Sequence, residues 1–168
     1  MVALISMRQV AVIGGAQNCS AEDYQAAEKV GGLLADNQVV LFCGGLGGVM
    51  EASSKGAYEQ GGLVVGIIPG ISGENTYSGI VIRTGMGHAR NIILVQSVDA
   101  VIAIGGSYGT LSEIATSLKM GKPVFGYHTW EIPGIVVCET PDDAVMKAVA
   151  ACDLSRSYHT PRDGQESR

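Results

Sequence analysis

Charge is scarce in this sequence: 16% of its 168 residues are charged, against 46% hydrophobic. That balance excludes a disordered chain, which needs the reverse. No apolar run reaches the roughly 18 residues of a membrane span, even though the mean hydropathy is +0.25. Basic clusters are missing too. The 11 Lys and Arg are outnumbered by 16 Asp and Glu, for a net charge of −5 and a pI near 5.1, which argues against a nucleic-acid binder. The four cysteines, Cys19, Cys43, Cys138 and Cys152, form no C-x-x-C pair and no zinc-ligand spacing. No metal site is therefore expected, and a reducing cytoplasmic compartment fits. The opening Met1–Met7 is too short for a signal peptide and carries no leading positive charge. There is no internal repeat and no linker.

Glycine is what the sequence has in excess: 24 of 168 residues, about twice the usual 7%. They follow no G-X-Y period and sit mostly in pairs at the ends of apolar runs, which points to tight turns and close approach of backbone to a ligand. The runs alternate with helical patterns. Gln9–Ile13, Val39–Cys43, Leu63–Ile68, Ala100–Ile104, Val124–Gly126 and Ile135–Cys138 read as strands, with Ile80–Ile82 as a short one. Helices are predicted over Ala21–Asp36 behind an N-cap Ser20, Gly48–Gln60, His88–Gln96, Thr110–Met120 and from Thr140 to about Cys152. Residues 69–79 are a polar, glycine-rich loop. The length gives one domain over 1–152 with a polar, frayed tail over 153–168.

Alternation with strands apolar throughout predicts an α/β fold with a parallel sheet covered by helices on both faces. In such sheets ligands bind beyond the carboxyl ends of the strands, at the point where the strand order reverses. Gly14-Gly15, Gly44-Gly45 and Gly105-Gly106 fall at those ends.

No strand-to-helix turn reads G-x-G-x-x-G, and Cys43-Gly44 stands where a ribose-binding acid would follow the second strand, so a dinucleotide site is not predicted. Gly121-Lys122-Pro123 lacks the upstream glycine of a P-loop. Two turns do carry chemistry. Gly44, Gly45, Gly47 and Gly48 lead into one helix, and Gly106, Ser107, Tyr108, Gly109 and Thr110 into another. Both offer unhindered backbone N–H groups at a helix N-terminus, a geometry for phosphate; the alternative is that the glycines only let helix and strand pack. Arg90, in Thr84-Gly-Met-Gly-His-Ala-Arg-Asn91, is a candidate phosphate clamp or an exposed, solvated arginine, and Arg83 is a second of the kind. Glu113 closes Thr110-Leu-Ser-Glu113, which is the pattern of a helix capping box and equally a position for a catalytic carboxylate. His88 reads as a loop histidine or a proton carrier, and Cys43 as a small core residue near the site.

These residues resemble the Lonely Guy (lysine-decarboxylase-like) superfamily of Rossmann-type proteins, and within it the molybdenum-cofactor carrier protein-like branch. The resemblance spans roughly Gln9 to Cys152. It is carried by Gly44-Gly-Leu-Gly-Gly-Val-Met50, Thr84-Gly-Met-Gly-His-Ala-Arg-Asn91 and Ile104-Gly-Gly-Ser-Tyr-Gly-Thr-Leu-Ser-Glu113. It implies a single-domain Rossmann-like fold. Lonely Guy enzymes cleave the N-glycosidic bond of cytokinin nucleoside 5′-monophosphates, with the hallmark P-G-G-x-G-T-x-x-E and an upstream Arg-Lys. Gly109, Thr110, Glu113 and Arg90 match; Gly105 replaces the proline, Ser107 a glycine and Asn91 the lysine.

The carrier branch implies a binding protein for the phosphate-bearing pterin of molybdenum cofactor, with no cofactor of its own required. In that reading Gly14, Gly15, the Gly44–Gly48 turn and Gly106–Thr110 hold the ligand, Arg90 neutralises its phosphate and the 70–79 loop covers the heterocycle. The alternative implied is a phosphoribohydrolase of nucleoside 5′-monophosphates, in which Arg90 holds phosphate or developing charge and Glu113 stabilises the ribosyl centre or activates water. A nucleotide-sensing regulatory subunit is a third reading. Nothing marks a cofactor-bearing lysine, so decarboxylation is not implied. A homodimer or homotetramer is expected from the superfamily and agrees with the apolar excess.

Overall fold

A computed structural model describes residues 7–17 and 19–157. Seven strands form one sheet in the order β4-β3-β2-β1-β5-β6-β7. They are β1 (Gln9–Gly14), β2 (Val40–Cys43), β3 (Val64–Ile68), β4 (Ile80–Arg83), β5 (Ala100–Ile104), β6 (Val124–Tyr127) and β7 (Ile135–Val137). Every pairing is parallel. The fold is α/β and Rossmann-like, as the alternation of elements predicts.

The helices α1 (Ala21–Asp36), α2 (Val49–Glu59) and α5 (Pro141–Ser157) pack on one face, burying Val30, Leu34, Ala52 and Ala148 against Val10, Val12, Leu41 and Ile102. On the other face α3 (Arg90–Gln96) and α4 (Tyr108–Lys119) bury Leu94 and Ile114 against Ala11, Ile13, Val101 and Ala103. Successive residues of the central strands feed opposite cores, which is why these strands read as unbroken apolar runs. α1 and α2 approach backbone to backbone. A Cβ on Gly31 would lie 1.9 Å from the Ser53 carbonyl oxygen, and one on Gly56 1.9 Å from that of Glu28.

Boundaries shift from the sequence expectations by a residue at many ends and by more in three places. The helix expected over His88–Gln96 begins as a 3-10 turn, Gly87–Ala89, before α3. α4 starts at Tyr108, two residues before the expected Thr110. α5 runs on to Ser157, so the expected end near Cys152 is about a turn short; the polar residues there have helix-compatible chemistry that a hydropathy reading takes for a tail. Residues 158–168 of that expected tail lie outside the described residues.

Candidate functional site

β1 and β5 lie side by side from Val10 against Ala100 to Gly14 against Ile104. The chain then leaves β1 for α1 on one face and β5 for α4 on the other, so a crevice opens between Gly15 and Gly105. A cavity of 390 Å³ fills it, lined by Gly15, Ala16, Cys19, Asp23, Val49, Gly106 and Ser107 among others. Three helices start at its wall. The first turn of α1 is capped, the Ser20 hydroxyl accepting from the Asp23 N–H at 3.0 Å. At the start of α2, the Val49 N–H donates to the Gly15 carbonyl at 3.1 Å. The N-cap residue of α4, Ser107, accepts no first-turn hydrogen bond on its side chain. That leaves α4 with an uncapped, electropositive end beside the cavity.

Two glycines make this approach possible. Gly48 has φ +62°, and a Cβ there would sit 2.2 Å from the Gly15 carbonyl oxygen. Gly106 has φ +111°, and a Cβ would lie 2.5 Å from the Thr110 side chain. Thr110 is 2% exposed, and its hydroxyl has no hydrogen-bond partner among the described residues.

A second polar cluster lies on the α3–α4 side. The Arg90 guanidinium runs beneath Gly44, where a Cβ would lie 2.4 Å from Nη2. Its Nη1 donates to Glu113 Oε1 at 3.2 Å, and both residues are buried. Arg90 Nε and Asn91 Oδ1 have no partners among the described residues. Burial pushes the Glu113 carboxyl up to about 7, while the charge and hydrogen bond of Arg90 pull the other way. Desolvation wins because the pair is enclosed on all sides while a single hydrogen bond stabilises the anion. A carboxyl that exchanges its proton near neutrality is fit for general acid–base work. Cys43 is a buried thiol, 3.3 Å from the Ser54 hydroxyl and from the Gly45 N–H, and burial pushes its pKa up. It is a packed core group and not a nucleophile.

The predicted site residues thus fall in two groups. Gly15, Gly106 and Ser107 line the cavity, Gly48 abuts it, Gly47 comes close to Ala16 and Gly14 packs against Val49. Gly44 belongs with Arg90, and Gly45 packs on Ile68. Gly109 and Thr110 are in the first turn of α4, while Tyr108 is 82% exposed and its ring lies 6.0 Å from that of Trp130. Arg90 is not among the cavity-lining residues.

Two bland alternatives from the sequence are overturned. Arg90 is buried, so it is no solvated arginine, and the capping box is not formed. With Ser107 at the N-cap, Thr110 and Glu113 stand inside the helix, where Glu113 turns to Arg90. The 70–79 loop is anchored elsewhere: Asn75 donates from its backbone to Gly45 and from its side chain to Leu46, and none of the loop lines the cavity. His88 is exposed, and Arg83 pairs with Glu74. Sequence reasoning passed over Asp23, three residues after an N-cap, where an acid is the ordinary helix-start signal.

A larger groove of 450 Å³ runs over α1 and α2. Its lining includes Glu28, Lys29, Asp36 and Glu59, with Glu28 paired to Lys55 and Lys29 to Asp142. Among the described residues there is no metal-binding cluster, and no helix is long and apolar enough to cross a membrane.

Comparison with known proteins finds a family model that matches the chain, and relatives among both curated proteins and solved structures. The model of the SLOG cluster4 family matches residues 7–153. An uncharacterized protein of Archaeoglobus fulgidus is 48% identical over 149 residues, covering 88% of this chain and 98% of that protein. The solved structure of the molybdenum cofactor binding protein from the phototrophic bacterium Rippkaea orientalis superimposes with a TM-score of 0.80 at 32% identity, covering 93% of this chain and 99% of that one. A probable cytokinin riboside 5′-monophosphate phosphoribohydrolase of Oryza sativa subsp. japonica is 30% identical over 116 residues, 64% of this chain; the match spans 50% of that protein's length.

Proposed function

We propose, from the premise that the chain belongs to the SLOG cluster4 family, that it is a binding protein for a small phosphate-bearing heterocycle, a carrier of a molybdenum-cofactor-type pterin. The observation that carries this reading is the uncapped start of α4 on the cavity wall, with the buried, unpartnered Thr110 hydroxyl directly beneath Gly106. Backbone N–H groups at a helix start are the ordinary protein ligands of phosphate. The likeness to the molybdenum cofactor binding protein of Rippkaea orientalis supports pterin as the heterocycle. Arg90 enters this reading as the counter-charge of Glu113 beneath the Gly44 turn, not as a direct phosphate clamp. A homodimer or homotetramer is part of the proposal, supported by the exposed Ile80 and Ile82 of edge strand β4 and Ile92 of α3.

The test is ligand capture. The protein is purified from a host that synthesises molybdenum cofactor, and bound pterin is oxidised to a fluorescent derivative and counted per chain. Pterin in the wild type and its loss in Ser107→Glu, which sets a negative charge at the α4 start, is the expected result. Equal pterin in both, or none in the wild type, overturns the reading.

A second reading, phosphoribohydrolysis of nucleoside 5′-monophosphates, is favoured by one observation: the buried Glu113 carboxyl poised near neutrality beside Arg90. Chromatography of a nucleoside 5′-monophosphate panel with wild type and Glu113→Gln separates the two. Free base released by the wild type alone makes this chain an enzyme.

A further inference from the structure

The cavity that receives the phosphate in the proposed function also holds an acid that such a ligand alone does not explain. Asp23, in the first turn of α1, is a lining residue of the 390 Å³ cavity. Its carboxylate lies against Gly105, where a Cβ would be 2.7 Å from Oδ2. Oδ1 is fully shielded and accepts no hydrogen bond among the described residues. The group nearest to satisfying it is His128 Nδ1, 3.5 Å away at the end of β6, beyond the usual N–H···O range. The carboxylate does not cap its own helix either: the α1 cap is the Ser20 hydroxyl, bonded to the Asp23 backbone N–H.

The Asp23 side chain is 17% exposed and lines the cavity, so the carboxylate edge other than the shielded Oδ1 is the acceptor that a ligand donor can reach. The same carboxylate repels a bare anion from a cavity whose α4 side attracts one. The two halves together select a bipolar molecule, anionic at one end and rich in N–H or O–H donors at the other.

We infer that Asp23 is the specificity-determining acceptor of this site, pairing with neutral hydrogen-bond donors carried by the ligand beyond its phosphate. This rests on the reading of the cavity as a phosphate site. Two chemical groups supply such donors: a 2-amino-4-oxopyrimidine edge, shared by guanine and pterin, and a ribose diol. A carboxylate oxygen accepts hydrogen bonds from either.

The experiment measures dissociation constants by calorimetry for four probes: guanosine 5′-monophosphate, inosine 5′-monophosphate, 2′,3′-dideoxyguanosine 5′-monophosphate and inorganic phosphate. Each is titrated into the wild type and into Asp23→Asn. The expected result is that Asp23→Asn binds guanosine 5′-monophosphate about tenfold or more weakly, the order of a charge-assisted hydrogen bond, and binds inorganic phosphate more tightly. The probe whose missing donors reproduce that loss in the wild type identifies the group: the inosine nucleotide for the amino edge, the dideoxy nucleotide for the diol. Unchanged affinity for guanosine 5′-monophosphate in Asp23→Asn, or equal weakening for all four probes, overturns the assignment. Inorganic phosphate binding to neither protein overturns instead the phosphate reading on which it stands. Guanosine, inosine and 2′,3′-dideoxyguanosine 5′-monophosphates binding the wild type equally would likewise overturn the assignment, and that arm needs no variant.

Discussion

Glu113 gives the most direct handle on the energetics of the site, because its replacement by glutamine keeps the side chain's shape while removing its proton equilibrium and the carboxylate charge that faces Arg90. The glutamine is isosteric and retains an oxygen to accept from Arg90 Nη1, which stands 3.2 Å from Oε1. Burial raises the carboxyl from 4.5, its ordinary value, to about 7. The folded chain therefore holds the proton more tightly than the unfolded chain. Between these two values folding takes up a proton, so stability is present at low pH and is lost as pH rises. The rise is roughly 2.5 units, and at 1.36 kcal/mol per unit the wild type should lose about 3 kcal/mol between pH 4 and pH 8 relative to Glu113→Gln. Urea unfolding of both proteins at matched concentration, across that range, reads the difference directly. A difference curve that falls with pH and flattens above about pH 7 is expected. Parallel profiles would mean that Glu113 titrates normally. A wild type that gains on the variant as pH rises would mean that the Arg90 ion pair outweighs burial, and the assignment of Glu113 as a near-neutral proton exchanger would be lost.

Three further outcomes follow from packing. Gly31→Ala places a methyl 1.9 Å from the Ser53 carbonyl oxygen, forcing α1 and α2 apart; a loss of about 1–3 kcal/mol is expected, read as a drop of several degrees in Tm, and an unchanged Tm would refute the close crossing. Leu94→Ala removes a fully buried side chain of α3 from the second core and should cost about 2–5 kcal/mol in urea unfolding. Thr110→Val replaces a buried hydroxyl without a partner, so the free protein should be unfolded no more easily, or gain about 1 kcal/mol, while pterin or nucleotide capture weakens. Loss of stability without loss of capture would make the hydroxyl structural.

The fold was legible because its signals are local. Apolar runs ending in glycine pairs, an N-cap at Ser20 and helical spacing through Val30 and Leu34 each follow from a few neighbouring residues. The cavity was legible as a place, since Gly14-Gly15 and Gly105-Gly106 end the two strands on either side of the strand-order reversal. What the sequence concealed depends on through-space partners. Thr110 and Glu113 fit a capping box by spacing, yet the helix starts early enough that both lie inside it, and Glu113 finds Arg90 from another helix. Arg90 looks like a surface clamp until Gly44 is seen to leave room for its guanidinium. Asp23 looks like a helix-start acid until the structure shows it lining the cavity, its carboxylate seated where Gly105 has no Cβ.

One helix joins the two clusters. Along α4, Ser107 lines the cavity, Thr110 lies beneath Gly106 and Glu113 meets Arg90. At 1.5 Å per residue, Glu113 stands about 9 Å along the axis from Ser107. A bound phosphate at the helix start would then lie about 10 Å from the carboxyl. At an effective dielectric of about 20, one negative charge there disfavours the carboxylate by roughly 1.7 kcal/mol, or about one pKa unit. A carboxyl already at about 7 is moved further into the range where it is protonated at neutrality. Phosphate-ligand binding near pH 7.5 should therefore take up a proton, and affinity should decline as pH rises. Calorimetry in two buffers of different ionisation enthalpy measures the uptake. Wild type taking up a fraction of a proton and Glu113→Gln taking up less would tie the ion pair to the cavity. Identical uptake in both would separate them, leaving Arg90 and Glu113 as a buried polar pair under the Gly44 turn with no part in holding the ligand.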